Sequence, residues 1–391
     1  ASLRITWSGV CRRRFILMLS SSPHSGASDS HKRWLSSRGP RQVQLVRYVV
    51  VCLHPGMLRR EITNALRLTC EARRRKIGEL LSFIRDDRRA VDQRVRRVHV
   101  KKLVLGQGLS IDQMKAREVA ILDEWAAAEG WNPGLGDLDV AWGLQPDAFI
   151  ALRNGDELVG AGTIFDHGGS YGFMGLFIVI PALRGQGLGE QLWTVRRDLL
   201  LERLGPDGSI GMDGVLALEA FYARGGFIEA DKDIRMEGNL PSMRRHETTE
   251  LSVLALDDLD AMVGVEAGTF PVDRTAFLRA WIDRPGVLMA GVSSNGHLSS
   301  FVVARPCRQG FKIGPFVASS RLEARSLVAW LGDELDGERV QWDIPSMNDD
   351  AMGLARDLTL SPSFACARMY LGQAPPTDVE RLYGVTSFEF G

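Results

Sequence analysis

Cysteine is scarce in this chain: Cys11, Cys52, Cys70, Cys307 and Cys366, an odd number with no C-x-x-C pair. That excludes a disulfide framework and a zinc site built on paired thiols, and it suits a reducing compartment. No apolar run reaches about 18 residues, so the sequence offers no membrane-spanning helix; the longest, near 43–53, is interrupted by Arg47. Two phosphate-loop signatures are also missing. There is no Gly-Lys-Ser/Thr of a P-loop, and a dinucleotide fingerprint started at Gly185 and Gly187 finds Glu190 where its third glycine belongs. Acidic residues are nearly absent from the start of the chain, where Asp29 alone precedes Glu61.

The formal net charge is zero over 391 residues, but the average hides a split. Residues 1–102 hold 24 Lys/Arg against 7 Asp/Glu, a surplus of about 17 positive charges that the remainder cancels. Two regions so unlike are expected to be separate units, and the length allows two domains beyond an extension. Residues 1–98 are therefore read as a basic, poorly ordered extension. Its Arg12-Arg13-Arg14, Ser20-Ser21-Ser22 and Ser36-Ser37-Arg38 runs have the composition of a mitochondrial or plastid transit peptide. The sequence does not begin with Met, so a fragment or an inaccurate upstream gene model is the other expectation; without a leader the protein is expected to be cytoplasmic. Residues 61–97 have helical character. The basic clusters 73–76 and 94–97 lack interleaved aromatics, which argues against a nucleic-acid partner.

What is present is concentrated between 173 and 204. The apolar run 173–180 closes at Pro181 and reads as a buried strand. Arg184-Gly185-Gln186-Gly187-Leu188-Gly189 follows, and then Leu192, Val195, Leu199 and Leu200 recur at helical spacing. Strand, glycine turn and helix together make an anion cradle. Glycine lets the backbone approach a phosphate, and the first N–H groups of a helix are unpaired and lie at the positive end of its dipole.

The spacing R-x-x-G-x-G (Arg184, Gly187, Gly189), after Val179 and Pro181, resembles the acetyl-CoA pyrophosphate loop of the GNAT superfamily of N-acetyltransferases. Phe221-Tyr222-Ala223-Arg224-Gly225-Gly226-Phe227 resembles the Tyr-x-x-x-Gly-Phe that closes that motif set. The coarse element order over 99–240 is similar to the same fold: a strand at 98–105, a helix at 112–128, a turn at 129–134, a helix at 138–144, strands at 149–153 and 158–165, a loop at 166–170, the central strand, its helix, and shorter elements at 210–212, 216–224 and 234–237.

Residues 249–391 repeat much of that order, with helices at 273–282, 321–335 and 349–358 and strands at 287–292, 298–305, 311–317, 340–344 and 368–371. Their Ala318-Ser319-Ser320-Arg321 stands where the glycine loop should be and contains no glycine. The expected fold is thus a mixed α/β sheet in two tandem GNAT-like domains, 99–240 and 249–391, the second without a pyrophosphate loop. Gly130-Trp131-Asn132-Pro133-Gly134, Lys312-Ile313-Gly314-Pro315, Arg368-Met369-Tyr370 and Val385-Thr386-Ser387-Phe388-Glu389 look like a two-part subgroup of the superfamily.

The resemblance implies direct transfer of an acetyl group from acetyl-CoA to an amine, with no covalent enzyme intermediate and no metal. Arg184, Gly185, Gln186, Gly187, Leu188 and Gly189 would hold the pyrophosphate, and main-chain groups of Phe177, Ile178 and Val179 would meet the pantetheine and thioester. Tyr222 is the candidate acid, since a phenol of pKa about 10 donates to a thiolate without being ionised at neutral pH. The base is open. No glutamate lies between 173 and 180; Asp213 is the first alternative, although Asp213-Gly214 reads equally as a turn or helix cap. His167, beside Asp166, follows. Trp131 and Asn132 are expected on the acceptor side, with a small-molecule amine as partner. The competing reading is an acyl-CoA-binding regulatory or scaffold protein without turnover. The oligomeric state is not readable.

Overall fold

The computed structural model describes residues 102–106, 108–243 and 250–391, all within one compact unit that spans 93–391. The basic extension, the helical character expected over 61–97 and the start of the first strand expected at 98 lie outside the described residues.

The first half runs β1 (Leu103–Gly106), β2 (Leu109–Gln113), α1 (Val119–Ala128), α2 (Asp137–Leu144), β3 (Phe149–Asn154), β4 (Glu157–Gly168), β5 (Tyr171–Val179), α3 (Leu188–Leu204), β6 (Ser209–Val215), α4 (Glu219–Arg224) and β7 (Ile228–Asn239). The second half runs β8 (Glu250–Val253), α5 (Leu259–Glu266), α6 (Thr275–Ile282), β9 (Leu288–Ser294), β10 (His297–Pro306), β11 (Phe311–Val317), α7 (Arg321–Leu335), β12 (Arg339–Pro345), α8 (Asp349–Asp357), β13 (Ser361–Leu371) and β14 (Leu382–Gly384).

Several elements differ from the sequence-based expectation. The helix expected from 112 begins at Val119, because 109–113 is a strand whose Asp112 and Gln113 sit opposite Ala151 and Ile150 of β3. The apolar helical spacing belongs only to 119–128. Asp166 and His167 belong to β4 rather than a loop, with Asp166 opposite Gly172. The short strands expected at 234–237 and 368–371 extend to 12 and 11 residues. Both are paired on two sides, which protects backbone groups that local sequence would leave to solvent. β8, α5 and β14 had no expected counterpart.

The sheet order explains that length: β1-β2-β3-β4-β5-β6-β13-β7-β12-β11-β10-β9-β8. The last strand of each half is inserted into the other. β13 lies between β6 and β7, and β7 lies between β13 and β12, all antiparallel. α3 packs with β3–β6 around Leu192, Leu200 and Ile210, while α7 and α8 cover β10–β12 around Leu327, Trp342 and Leu354. Phe277 and Trp281 of α6 enter the core formed by α1 and α2, so the halves share apolar contacts as well as strands.

Buried ion pairs join the halves. Arg235 on β7 sits directly opposite Asp343 on β12 and grips it through two bonds of 2.7 and 2.8 Å. Burial works against the charge of Asp343, and Arg235 overcomes it and holds that carboxyl below its ordinary range. Asp137 at the start of α2 bonds Arg284 at 2.8 Å and Arg305 at 3.1 Å. Asn132, with φ of 48°, donates to Gln341 at 3.0 Å and to the Cys307 sulfur at 3.2 Å.

Removing one member of such a pair strands the other charge. Arg235→Ala is expected to lower unfolding free energy by about 3–5 kcal/mol, and the double change Arg235→Met/Asp343→Leu by clearly less. Denaturant titration of the three chains checks the order.

Candidate active site

The site begins with a break in the β4–β5 ladder. Ala161 faces Ile178 but Thr163 faces Gly175, so β5 carries one extra residue. Leu176 within it has φ of 53°, a left-handed conformation that costs a side-chain-bearing residue on the order of 1–2 kcal/mol. The bulge bends β5. Arg196 of α3, 1% exposed, reaches into the break and donates to the carbonyls of Thr163 and Gly175, both at 2.6 Å. Burial lowers Arg196 to about 9, so it remains a cation at neutral pH. Gly162 makes room for its guanidinium, since a Cβ there would overlap it.

Beyond the bulge, β5 and β6 separate. They pair in parallel only from Tyr171/Ser209 to Phe173/Gly211, and the edges of 174–179 and 212–215 open into a cleft. The loop 180–187 leads from β5 into α3, whose Gly189 packs on Phe177 in the cleft lining. Gly185 and Gly187 have φ of 75° and 77°, and Gly187 stands at the N-terminus of α3. The N–H groups of residues 185–190 donate no backbone hydrogen bond among the described residues. A Cβ on either glycine would meet nothing within 4 Å, so space is not what demands glycine at these two positions. Glycine is needed there for its positive φ. At Gly189 the reason differs: a Cβ would meet the Phe177 ring at 3.3 Å, so that glycine sets how closely α3 packs on β5. Arg184 is tied down, its Nε donating to the Val179 carbonyl at 2.7 Å and its Nη2 to Glu129 at 2.5 Å. The Val179 carbonyl is therefore already occupied. Gln186 is exposed and Leu188 buried. Ile178 is buried and paired with β4.

Phe177, Trp131 and Tyr222 all line the cleft. The Tyr222 ring packs against Gly214, where a Cβ would overlap it, and burial pushes its phenol well above the ordinary value. The phenol makes no hydrogen bond among the described residues and stays protonated, as an acid must. Asp213 reaches the same cleft but is neither a turn nor a cap residue. It sits within β6, opposite Arg368 of β13, which grips both its oxygens at 2.6 and 2.8 Å and also approaches Asp233 at 2.9 Å. Burial drives Asp213 well above the usual carboxylate range; Arg368 opposes this, and the neighbouring Asp233 adds to it.

Two other expected residues lie outside the cleft lining. Asn132 is consumed by the contacts between halves. His167 is buried among Phe165, Phe270 and Phe277, its Nε2 2.7 Å from the Phe390 carbonyl oxygen, and burial followed by Arg274 lowers it to about 3. Conversely, the second half contributes Phe364, Cys366, Phe388 and Glu389 to the cleft, none of which sequence spacing could place there. Burial pushes the Cys366 thiol strongly upward, which keeps it from acting as a thiolate.

The second half repeats the bulge: Val302 faces Phe316 while Ala304 faces Ile313. Its gap is filled by its own chain. β14 pairs with β11 through Phe316/Gly384 and Val317/Leu382, Val385 donates to the Asp343 carbonyl, and Trp342 Nε1 donates to the Tyr383 carbonyl at 2.8 Å. The N-terminus of α7 is capped by Ser320, whose Oγ accepts from Glu323 N at 3.3 Å, with the Glu323 carboxylate in the first turn.

Among the described residues no cluster of His, Cys, Asp and Glu is arranged to hold a metal, and no helix is long and apolar enough to cross a membrane.

Residues 117–227 match the family model described as acetyltransferase (GNAT) family, and residues 262–384 match one described as acetyltransferase (GNAT) domain. The holothin acyltransferase of Pseudoalteromonas sp. (strain SANK 73390) is 24% identical over 275 residues, which cover 70% of this chain and 92% of that protein. A solved protein of Pyrococcus horikoshii, provisionally named an acetyltransferase, superposes with a TM-score of 0.64 at 21% identity, over 75% of this chain and all of that one. A tandem GNAT protein from the clavulanic acid biosynthesis pathway superposes at 0.52 with 15% identity, over 68% of this chain and 99% of its own. These likenesses in structure speak to the fold.

Buried, neutral His167 makes stability depend on pH. Between about 3 and the ordinary 6.5, the unfolded chain binds a proton that the folded chain refuses. Its share of stability is complete above 6.5 and is lost as pH falls through that window, about 2 kcal/mol by pH 5. Denaturant unfolding at pH 7.5 and 5 should show the loss in the unaltered chain, and His167→Phe should flatten it.

Proposed function

We propose that this chain, which carries two GNAT domains in tandem, transfers an acetyl group from acetyl-CoA to the amine of a small molecule, and that the first domain does the chemistry. The observation that carries this reading is the row of unbonded N–H groups at 185–190, set at the positive end of α3, whose first turn packs through Gly189 on Phe177 in the wall of the gap between β5 and β6. A diphosphate satisfies such donors, and the two dipolar contributions add there. Arg184 stands beside them and would share its guanidinium between Glu129 and the anion.

Bound acetyl-CoA supplies the activated thioester. The chain's own residues position it and handle protons. Main-chain groups along 174–178 that have no strand partner on the β6 side offer hydrogen bonds to the pantetheine and the thioester carbonyl. The amine lone pair forms the C–N bond, the C–S bond breaks, the departing thiolate takes the proton of the Tyr222 phenol, and the proton shed by the nitrogen passes to water, from which Tyr222 is reprotonated. Preorganised geometry of this kind replaces a covalent intermediate. The cleft is walled by Trp131 and by Phe364 and Phe388 from the second half, which favours a small acceptor over a polypeptide. The second half, with its gap filled and its helix capped internally, contributes walls rather than a second CoA site.

Calorimetry with CoA should give one site per chain, and Gly187→Val should weaken binding tenfold or more, because a β-branched residue is strained at positive φ and crowds the donors. Unchanged affinity would contradict the loop assignment. With acetyl-CoA and a panel of alkylamines, free-thiol release should depend on the amine, and Tyr222→Phe should lower kcat about 10–100-fold while leaving CoA affinity intact. CoA binding without amine-dependent thiol release from any acceptor would favour a regulatory or scaffold role.

A further inference from the structure

An alkylamine reaches neutral solution as an ammonium, so its attack on a thioester requires a base within hydrogen-bond reach. The strand that forms one wall of the cleft, β5, carries no acidic residue. Two carboxylates line the opening, Asp213 and Glu389. Asp213 has both oxygens committed to Arg368.

Glu389 is differently placed. Its main chain rides directly on β5 at the bulge, since a Cβ on Gly175 would overlap the Glu389 carbonyl oxygen. The segment is anchored on both sides. The Ser387 hydroxyl accepts from the Glu389 and Phe390 amides at 3.3 and 3.1 Å, Phe390 O meets His167 Nε2, and the Phe388 ring lies 4.8 Å beneath the Arg235 guanidinium. The residue is 5% exposed. Its carboxylate receives no hydrogen bond among the described residues; the nearest cation is Lys312 Nζ, at 4.0 Å. Lys312 is itself buried, and its ammonium has no hydrogen-bond partner. A carboxylate offers about four lone-pair sites, and those of Glu389, in the cleft lining, take no donor from the described residues, so a ligand can bring donors to them. An ammonium brings three.

We propose that Glu389, delivered from the second half onto the central strand of the first, is the catalytic carboxylate that binds the acceptor ammonium and takes its proton. The proposal rests on the transferase reading. One N–H bond of the ammonium breaks to Glu389 Oε, the freed lone pair forms the C–N bond, and the C–S bond breaks with the proton of Tyr222 passing to sulfur; the second proton that the nitrogen sheds as it becomes an amide passes to water. Glu389 returns its proton to water, and Tyr222 is reprotonated from water, as products leave.

The test uses the full chain, acetyl-CoA, and two amines of similar size: ethylamine, protonated at the assay pH of 7.5, and 2,2,2-trifluoroethylamine, largely neutral there. Glu389→Gln should lower kcat with ethylamine about 100-fold, leave the CoA dissociation constant within twofold, and cause a much smaller loss with the fluorinated amine, which arrives without the proton. Equal turnover by the Gln variant and the unaltered chain overturns the assignment, as does an equal loss with both amines, the pattern of a merely structural residue. If the Gln variant does not fold, Glu389→Asp, which keeps the charge but retracts it by one methylene, carries the test. A tenfold fall in kcat at unchanged CoA affinity supports the role, and unaltered kcat overturns it. If the unaltered chain itself acetylates neither amine nor any of the wider alkylamine panel, it is the transferase reading that fails.

Discussion

The arrangement depends on β13 lying between β6 and β7. The exposed edge of β6 finds its hydrogen-bonding partner only in a strand contributed by the other half, and β7 finds both of its partners there. Charges buried at paired positions set the register. Arg368 stands opposite Asp213, and Arg235 opposite Asp343. A slip of one residue would turn each of these side chains to the other face of the sheet, leaving charges without counter-ions in a place that does not tolerate them. The cleft is a product of the same constraint. β6 is held by β13 on one side, so it cannot follow β5 when the bulge at Leu176 bends that strand away.

The two halves meet the same geometric problem and solve it differently. Each has a bulge in the strand before its long helix, and each therefore opens a gap. In the first half the gap stays open, and the glycine turn that follows its lining strand has main-chain donors unbonded among the described residues. In the second, residues 382–385 run into the gap as an extra strand, and at the helix start the Ser320 hydroxyl accepts from the Glu323 amide. One fold thus leaves the gap open in one copy and fills it in the other, so the two copies share an architecture without sharing a site. The filled copy is not idle. The chain that plugs it continues to 388 and 389, which form part of the wall of the open one.

How much was readable in advance follows from the range of the interactions involved. The glycine turn, the strand before it and the helix after it are written in consecutive residues, and the structure has α3 and α7 close to where periodicity puts them. Elements whose limits depend on a distant partner were misjudged. β7 and β13 run several residues beyond their apolar cores because both edges are paired, and 109–113 is a strand because β3 lies beside it. Candidate side chains divide the same way. Tyr222 and Phe177 face the cleft, whereas Asn132, His167 and Asp213 are occupied by Gln341, by the Phe390 carbonyl and by Arg368.

By itself the sequence determined the local chemistry: a glycine turn at 184–189, a phenol at 222, and a second copy of the element order without glycines in its strand-to-helix loop, because backbone freedom and helical periodicity are properties of neighbouring residues. Only the tertiary structure decided which carboxylates are spent in ion pairs, which gap is filled and which side chains from the second half reach the first. Those outcomes turn on contacts between residues from 41 to 223 positions apart, where burial and pairing, not local propensity, set each group's charge and reach.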